Sequence, residues 1–301
     1  MIVLTGATGF LGSNLLGKML DEGCEVAAVI RTNSNLSRIG KWKNHKNVKF
    51  YNVENEDPRL IFEENKIDVI VHTATEYGRR DGSVSNILQS NLILPIRLIE
   101  LGIEYKTICF INTDSYFNKG GGSYSNLLNY SLSKKSLLVW LKQLSHKIKI
   151  VNISLEHMYG PWDSRSKFVE NLIQEIALEH TPRVHLTHGH QKRDFIYVDD
   201  VSDAFIKLIE YGCTYEFTFK SFEVGTGMSV QLCDFTQKIK SLSHSESILG
   251  FGDIAYRSDE IMDSKADISG LTELGWIPKI DVTEGLSRIL KCYGVVIRDT
   301  Q

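Results

Sequence analysis

Met1-Ile2-Val3-Leu4-Thr5-Gly6-Ala7-Thr8-Gly9-Phe10-Leu11-Gly12 is a short apolar run that breaks into three glycines spaced three apart. Leu11, Leu15, Leu16, Met19 and Leu20 then recur at helical spacing. The order is strand, tight turn, amphipathic helix. Glycines let such a turn close and let backbone approach a bound group. The first turn of the helix offers N–H groups with no intrahelical acceptor, at the positive end of the helix dipole. That combination is a seat for a pyrophosphate, so the backbone of Gly6, Thr8, Gly9, Phe10, Leu11 and Gly12 is expected to bind a dinucleotide.

The same rhythm continues outward from this turn. Residues 25–30, 48–53, 68–72, 107–112 and 149–154 are short runs rich in β-branched or aromatic residues. Between them Ile87, Leu88, Leu92, Ile96 and Leu98, and later Leu137, Leu138, Leu141 and Leu144, show helical spacing. Strands alternating with helices predict an α/β fold: a Rossmann-type, doubly wound parallel sheet with helices on both faces. After about Leu155 the rhythm turns irregular, with Pro161, Pro182 and the Gly225–Gly227 turn, and a smaller C-terminal substrate-binding lobe is expected. The expected division is residues 1–155 with 194–212 for the dinucleotide-binding domain, and 156–193 with 213–301 for the smaller lobe. Lys119–Ser125 reads as a flexible loop before the next helix.

Composition narrows the class. The chain has 301 residues, a formal net charge of -3 and 42% hydrophobic residues, enough for a full core and without the basic footprint of a nucleic-acid or membrane-surface binder. No apolar run approaches the roughly 20 residues that cross a bilayer. The N-terminus opens directly on a strand with no basic leader, and a cytoplasmic location is expected. Five scattered cysteines with no C-x-x-C pair read as reduced thiols. His185, His188 and His190 alternate along a strand-like stretch and read as a strand face, so no metal is expected.

Two further sites carry chemistry. The second strand ends Val29-Ile30-Arg31-Thr32-Asn33-Ser34, with an arginine where an acidic residue would bind the ribose 2′-hydroxyl of NAD. A guanidinium suits a 2′-phosphate, so NADP(H) is expected over NAD(H). Tyr130 and Lys134, at i and i+4, share one helix face after the fifth strand. Thr113 stands at the C-terminal end of that strand, where open α/β sheets bind ligands. A neighbouring ammonium is expected to lower the phenol pKa and make Tyr130 a proton carrier, with Thr113 bonding a substrate oxygen.

Gly6, Gly9, Gly12, Thr113, Tyr130 and Lys134, with Arg193-Asp194-Phe195-Ile196-Tyr197-Val198-Asp199-Asp200, resemble the extended short-chain dehydrogenase/reductase family, which includes nucleotide-sugar epimerases, dehydratases and reductases. The resemblance runs from residue 1 to about 290. More narrowly, Ala74–Gly78, Asn112–Phe117, Leu155–Asp163 with Lys167-Phe168, and Phe251–Met262 resemble the CDP-abequose and CDP-paratose synthases, 4-ketoreductases of CDP-3,6-dideoxyhexoses that serve O-antigen and so lipopolysaccharide biosynthesis.

The resemblance implies catalysis by Thr113, Tyr130 and Lys134. It implies cofactor contacts from Thr73, Ala74, Asn91, Tyr130 and Lys134, and Asn91 would position the lysine. Substrate contacts would come from Thr75, Asp114, Ser115, His157, Lys167 and Phe168, with Arg193 and Arg257 on the diphosphate. It also implies a homodimer formed through the Asn91 and Tyr130 helices.

Two departures narrow the reaction. Dehydrating relatives follow the threonine with Asp-Glu, whereas this chain has Asp114-Ser115; C3/C5-epimerising relatives carry a cysteine at the Ser115 position. A simple ketoreductase is expected. A nucleotide-sugar 4-epimerase, a 4-ketoreductase for another 6-deoxyhexose or a heptose, and a dinucleotide-sensing regulatory protein remain as alternatives.

Overall fold

The computed structural model describes residues 1–78, 83–121 and 127–297. Much of the expected loop at 119–125 therefore lies outside the described residues.

In chain order the first elements are β1 (Ile2–Thr5), α1 (Phe10–Asp21), β2 (Val26–Ile30), β3 (Val48–Asn52), α2 (Arg59–Glu64), β4 (Val69–His72), α3 (Val84–Leu88), α4 (Leu94–Glu104), β5 (Cys109–Ser115), α5 (Leu128–Leu144) and β6 (Lys149–Leu155). There follow β7 (His157–Tyr159), α6 (Phe168–Ile173), β8 (Arg183–Leu186), β9 (Lys192–Arg193), β10 (Phe195–Tyr197), α7 (Val198–Thr214) and β11 (Phe219–Val224). The last are β12 (Val230–Gln231), α8 (Leu232–Ser243), β13 (Ile248–Phe251), β14 (Asp263–Ser264), α9 (Ser269–Glu273) and α10 (Val282–Cys292).

Chain contacts divide the protein into two units, residues 1–154 with 202–222, and residues 155–201 with 223–301. The first holds a seven-stranded sheet of order β3-β2-β1-β4-β5-β6-β11. Strands β1·β2, β1·β4, β2·β3 and β4·β5 pair in parallel. The fold is thus the doubly wound α/β type. β1, β4 and β5 are buried along their whole length, because helices cover both faces of such a sheet. Val3, Ile70, Phe110 and Ile150 from the strands meet Leu98, Ile99, Leu137 and Leu141 from the helices in one core. The strand order turns between β1 and β4, and ligands of open sheets bind outside the carboxyl ends at that point.

Between α3 and α4 the helix widens into a π-turn at Gln89–Ile93. Pro95 accounts for it. A proline has no N–H to give the carbonyl four residues back, and its ring clashes with that carbonyl. Here the carbonyl belongs to Asn91, so the turn opens and leaves the buried Asn91 at a widened step.

In the second unit, β10 pairs with β7 in parallel, β9 lies between β12 and β14, and β13 pairs with β8. Asp194, fully buried between β9 and β10, accepts hydrogen bonds from the N–H groups of Thr226 (2.7 Å), Gly227 (2.9 Å) and Ala266 (3.1 Å) and from Thr226 Oγ1 (2.6 Å). A carboxylate so provided with donors tolerates burial. Among the described residues no helix is long and apolar enough to cross a membrane.

Candidate active site

Gly6 closes the turn after β1 with φ of 71°, and a Cβ there would stand 2.6 Å from the Ala74 nitrogen. A Cβ on Gly12 would stand 2.1 Å from the Gly6 carbonyl oxygen. Neither position has room for a side chain. Gly9 caps α1 without a side chain, and the first turn of α1 carries no acidic residue. The N–H groups and the dipole at this helix start keep their affinity for an anion. The loop after β4 is tied to the glycine turn: Thr73 Oγ1 donates to the Thr5 carbonyl (2.7 Å) and the Ala74 N–H to Thr5 Oγ1 (3.2 Å). Fully buried His72 bonds Thr5 Oγ1 through Nδ1 (2.9 Å). Burial, and then the Lys134 charge, push its pKa well below the usual imidazole range and hold it neutral.

Arg31 is exposed, and its guanidinium makes no ion pair or hydrogen bond among the described residues. Its own N–H bonds Ser34 Oγ (2.9 Å). The next residue brings a carboxylate that the sequence reading missed: the Thr32 N–H donates to Glu54 Oε2 (2.9 Å). Glu54 follows β3, and only the parallel pairing of β2 with β3 brings it to this loop.

Thr113, Asp114 and Ser115 end β5, and all three are buried. Tyr130 and Lys134 lie on α5, 4% and 1% exposed, so both functional groups have left bulk water. Lys134 Nζ donates to the Thr113 carbonyl (2.7 Å). Tyr130 bonds Ser115 and stacks on Tyr77 at 4.9 Å between ring centroids, with Phe117 edge-on at 6.3 Å. Thr113 Oγ1 is buried with no hydrogen-bond partner among the described residues.

The electrostatics differ from the expectation that the lysine lowers the phenol pKa. Burial, and then Tyr77, push Tyr130 well above the ordinary phenol range, against the Ser115 hydrogen bond. The Lys134 ammonium is directed at the Thr113 carbonyl, and burial brings its own pKa down to about 8. A phenol held in its protonated form is the form a proton donor needs.

Asn91 builds a clamp. Its Oδ1 accepts the Glu76 N–H (2.8 Å), and its Nδ2 donates to the Glu76 carbonyl (2.8 Å) and to Ser133 Oγ (3.0 Å). Ser133 precedes Lys134, and its hydroxyl donates to the Tyr130 carbonyl (2.7 Å). Asn91 therefore holds the Tyr77 loop against the helix of Tyr130 and Lys134. Glu76, Tyr77 and Ser133 were not read as site residues, although Glu76 and Tyr77 belong to the Ala74–Gly78 segment that carried the resemblance. Thr75, on the same loop, is half-buried. Asp114 does not offer an empty carboxylate: Oδ1 accepts from the Ser115 N–H (2.8 Å) and Asn118 Nδ2 (2.7 Å), and Oδ2 from Asn152 Nδ2 (3.2 Å).

The remaining residues named from the sequence lie in the second unit. His157, on β7, packs edge-on against Phe195 at 5.8 Å, and burial lowers its pKa. Arg193 is buried and bonds Glu260 and the carbonyls of Lys192 and Ile261. Its partner is thus Glu260 and not the adjacent Asp194. Exposed Arg257 opens the turn that carries Glu260, whose N–H donates to the Arg257 carbonyl (3.2 Å). Lys167 and Phe168 stand at the start of α6, where Lys167 pairs with Asp163 (3.1 Å) and Phe168 is exposed.

Comparison with known proteins gives the family. The model of the NAD dependent epimerase/dehydratase family matches residues 2–217. The chain is 35% identical to the CDP-abequose synthase of Salmonella typhimurium, covering 96% of this chain and 97% of that one. It is 33% identical to the CDP-abequose synthase of Salmonella muenchen, covering 96% of each. Among solved structures, the UDP-glucose 4-epimerase of Thermotoga maritima superposes with a TM-score of 0.82 at 21% identity, covering 97% of this chain and 98% of that one, which is a likeness of fold. The chain belongs to the NAD dependent epimerase/dehydratase family.

Proposed function

We propose that the protein is an NADPH-dependent 4-ketoreductase of a nucleotide diphosphate-linked deoxy sugar, and that its substrate is CDP-4-keto-3,6-dideoxyglucose, reduced to CDP-abequose or CDP-paratose. The observation that carries the reading is the Thr113 hydroxyl, buried without a partner at the end of β5, beside a buried tyrosine and lysine. A buried hydroxyl left unpaired costs about 1–3 kcal/mol, a cost that a bound carbonyl oxygen removes. The two relatives at 33% and 35% identity, both named CDP-abequose synthases, support the substrate class.

The residues suit a dinucleotide. Gly6 and Gly12 leave bare backbone where a Cβ has no room, and α1 starts uncapped. Gly6, Thr8, Gly9, Phe10, Leu11 and Gly12 would hold the pyrophosphate, Arg31 the 2′-phosphate, and Thr73, Ala74, Asn91, Tyr130 and Lys134 the rest of the cofactor. When bound, the reduced nicotinamide supplies the hydride.

The protein's own groups do the remainder. Thr113 orients the ketone through its hydroxyl. Tyr130, kept as the neutral phenol by burial, gives its proton to the oxygen as negative charge develops there, and Ser115 holds the phenol oxygen. Lys134 adds positive charge beside the Thr113 carbonyl. In the second unit His157, Lys167, Phe168, Arg193 and Arg257 would bind the nucleotide diphosphate sugar. The protein would act as a homodimer in the cytoplasm.

A panel of nucleotide-linked 4-keto sugars, followed at the reduced-nicotinamide absorbance with NMR of the product, tests the reading. One NADPH consumed per product is expected, with the CDP-linked 3,6-dideoxy sugar turned over fastest. Product formed without net cofactor consumption makes the protein a 4-epimerase, and equal activity on the free 4-keto sugar rejects the nucleotide-sugar assignment.

A further inference from the structure

Residues 160–167 connect β7 to α6 and end on Lys167, just before Phe168. Trp162 turns this loop with a φ of 65°, a left-handed backbone that a bulky side chain rarely adopts. Such a conformation persists where its surroundings hold it. Tyr293, which follows α10, is one such hold. Its hydroxyl accepts the Trp162 N–H (2.7 Å) and donates to the Glu170 carboxyl, whose two oxygens both stand 2.9 Å away. A phenol has one proton and two lone pairs, so this hydroxyl works in both directions. The Tyr293 and Trp162 rings also meet edge-on, 4.5 Å between centroids. Glu170, on α6, is 4% exposed, and Gln174 Nε2 donates to its Oε1 (2.8 Å). Burial pushes the Tyr293 phenol above its ordinary range, so it keeps the proton that it gives to Glu170.

The residue after Trp162 passes the constraint on. Asp163 Oδ1 accepts the Ser164 N–H (2.7 Å), and Oδ2 pairs with the Lys167 ammonium (3.1 Å). The Lys167 N–H donates to the Ser164 carbonyl (2.8 Å). A continuous chain of contacts thus runs from the Tyr293 hydroxyl through the Trp162 backbone and Asp163 to the Lys167 ammonium. All of these residues belong to the second unit. Asp163 sets the direction of the ammonium, which has three protons and can serve a second anion.

We propose that Tyr293 is a positioning residue for the nucleotide-linked sugar: its hydroxyl pins the left-handed turn at Trp162 to Glu170 and so places Lys167, without touching the substrate itself. The proposal rests on the reading that Lys167 meets the diphosphate sugar. An ammonium already held in place loses less freedom when an anion binds, and that saving appears as affinity. Tyr293 lies 131 residues beyond Trp162, so no local pattern in the sequence connects them.

The test is a double-variant cycle of Tyr293→Phe and Lys167→Ala, read in KM and kcat for the nucleotide-linked keto sugar. Tyr293→Phe keeps the ring and removes the hydroxyl. It should raise KM about tenfold, the scale of one lost hydrogen bond, with kcat within about twofold and the KM for NADPH unchanged. Because Tyr293 acts through Lys167, the same substitution should cost little in a chain that already carries Lys167→Ala. Glu170→Gln keeps an oxygen to accept the Tyr293 proton and should stay near the parent. A Tyr293→Phe variant that melts lower at unchanged KM overturns the proposal, since a residue that only fastens α10 to the fold gives that result. Fully additive losses overturn it too, because the effect then does not pass through Lys167.

A second measurement stands apart from turnover. In the ligand-free protein followed by NMR, the Trp162 amide should exchange slowly with deuterium, and Tyr293→Phe should speed that exchange about tenfold or more while amides within α10 keep their rates. Equal Trp162 exchange in parent and variant overturns the proposal. A parent that accepts no keto sugar in the panel, with the exchange as expected, overturns the proposed substrate and leaves the pin at Trp162 standing.

Discussion

Thr113→Val separates the cost of the site from its use. The Thr113 hydroxyl oxygen is buried with no hydrogen-bond partner among the described residues, so the folded protein carries an unsatisfied polar group there. Valine keeps the branched shape and replaces the hydroxyl with a methyl group. An unpaired buried hydroxyl costs about 1–3 kcal/mol, and its removal should stabilise the ligand-free protein by about 1 kcal/mol. For a chain of this size that raises Tm by about 2 °C. The same hydroxyl is the donor proposed to meet the developing oxyanion, and losing one such donor typically lowers kcat by about 10²–10³-fold. The variant should therefore be more stable and far less active, measured by thermal unfolding without ligands and by NADPH oxidation with the nucleotide-linked keto sugar. A variant that melts lower than the parent and keeps its activity would refute the argument, since the hydroxyl would then be serving the fold.

Other outcomes follow from the same geometry. Tyr130→Phe should lose about 10²–10⁴ in turnover, the usual worth of a positioned acid, while cofactor affinity measured by fluorescence titration stays within a few-fold. Arg31→Ala should weaken NADPH binding by roughly 1.5–3 kcal/mol and leave NADH nearly unchanged. Because Glu54 shares that loop through the Thr32 N–H, Glu54→Gln should shift preference further toward NADPH, and equal affinities for both cofactors throughout would make Arg31 a surface residue. Light scattering at micromolar concentration should give a dimer. Leu137 and Leu141 on α5 are buried in the core, whereas Leu132, Val139 and Trp140 on the same helix are 59%, 68% and 50% exposed, a face that water does not favour. A monomer mass would remove the dimer.

Much of the first unit was legible because its causes are local. A glycine at Gly6 answers a left-handed backbone, Gly12 answers a close approach to the Gly6 carbonyl, and the buried strands announce themselves as unbroken apolar runs. The i, i+4 spacing of Tyr130 and Lys134 places them on one helix face whatever surrounds them. Such features depend on sterics and periodicity over a few residues, and those are written in order along the chain.

What folding alone decided is which distant groups meet and how dry their meeting place is. Arg193 and Glu260 stand 67 residues apart and pair because β9 lies beside β14, not because of any nearby acidic residue. Glu54 reaches Thr32 through strand register. Pro95 widens the turn at Asn91, whose amide then joins Glu76 to Ser133 across 15 and 42 residues. The direction of the Tyr130 pKa came out opposite to a reading based on its lysine neighbour, since burial of the phenol outweighs any nearby charge. Desolvation is a property of the packed interior, and no spacing in the sequence states it.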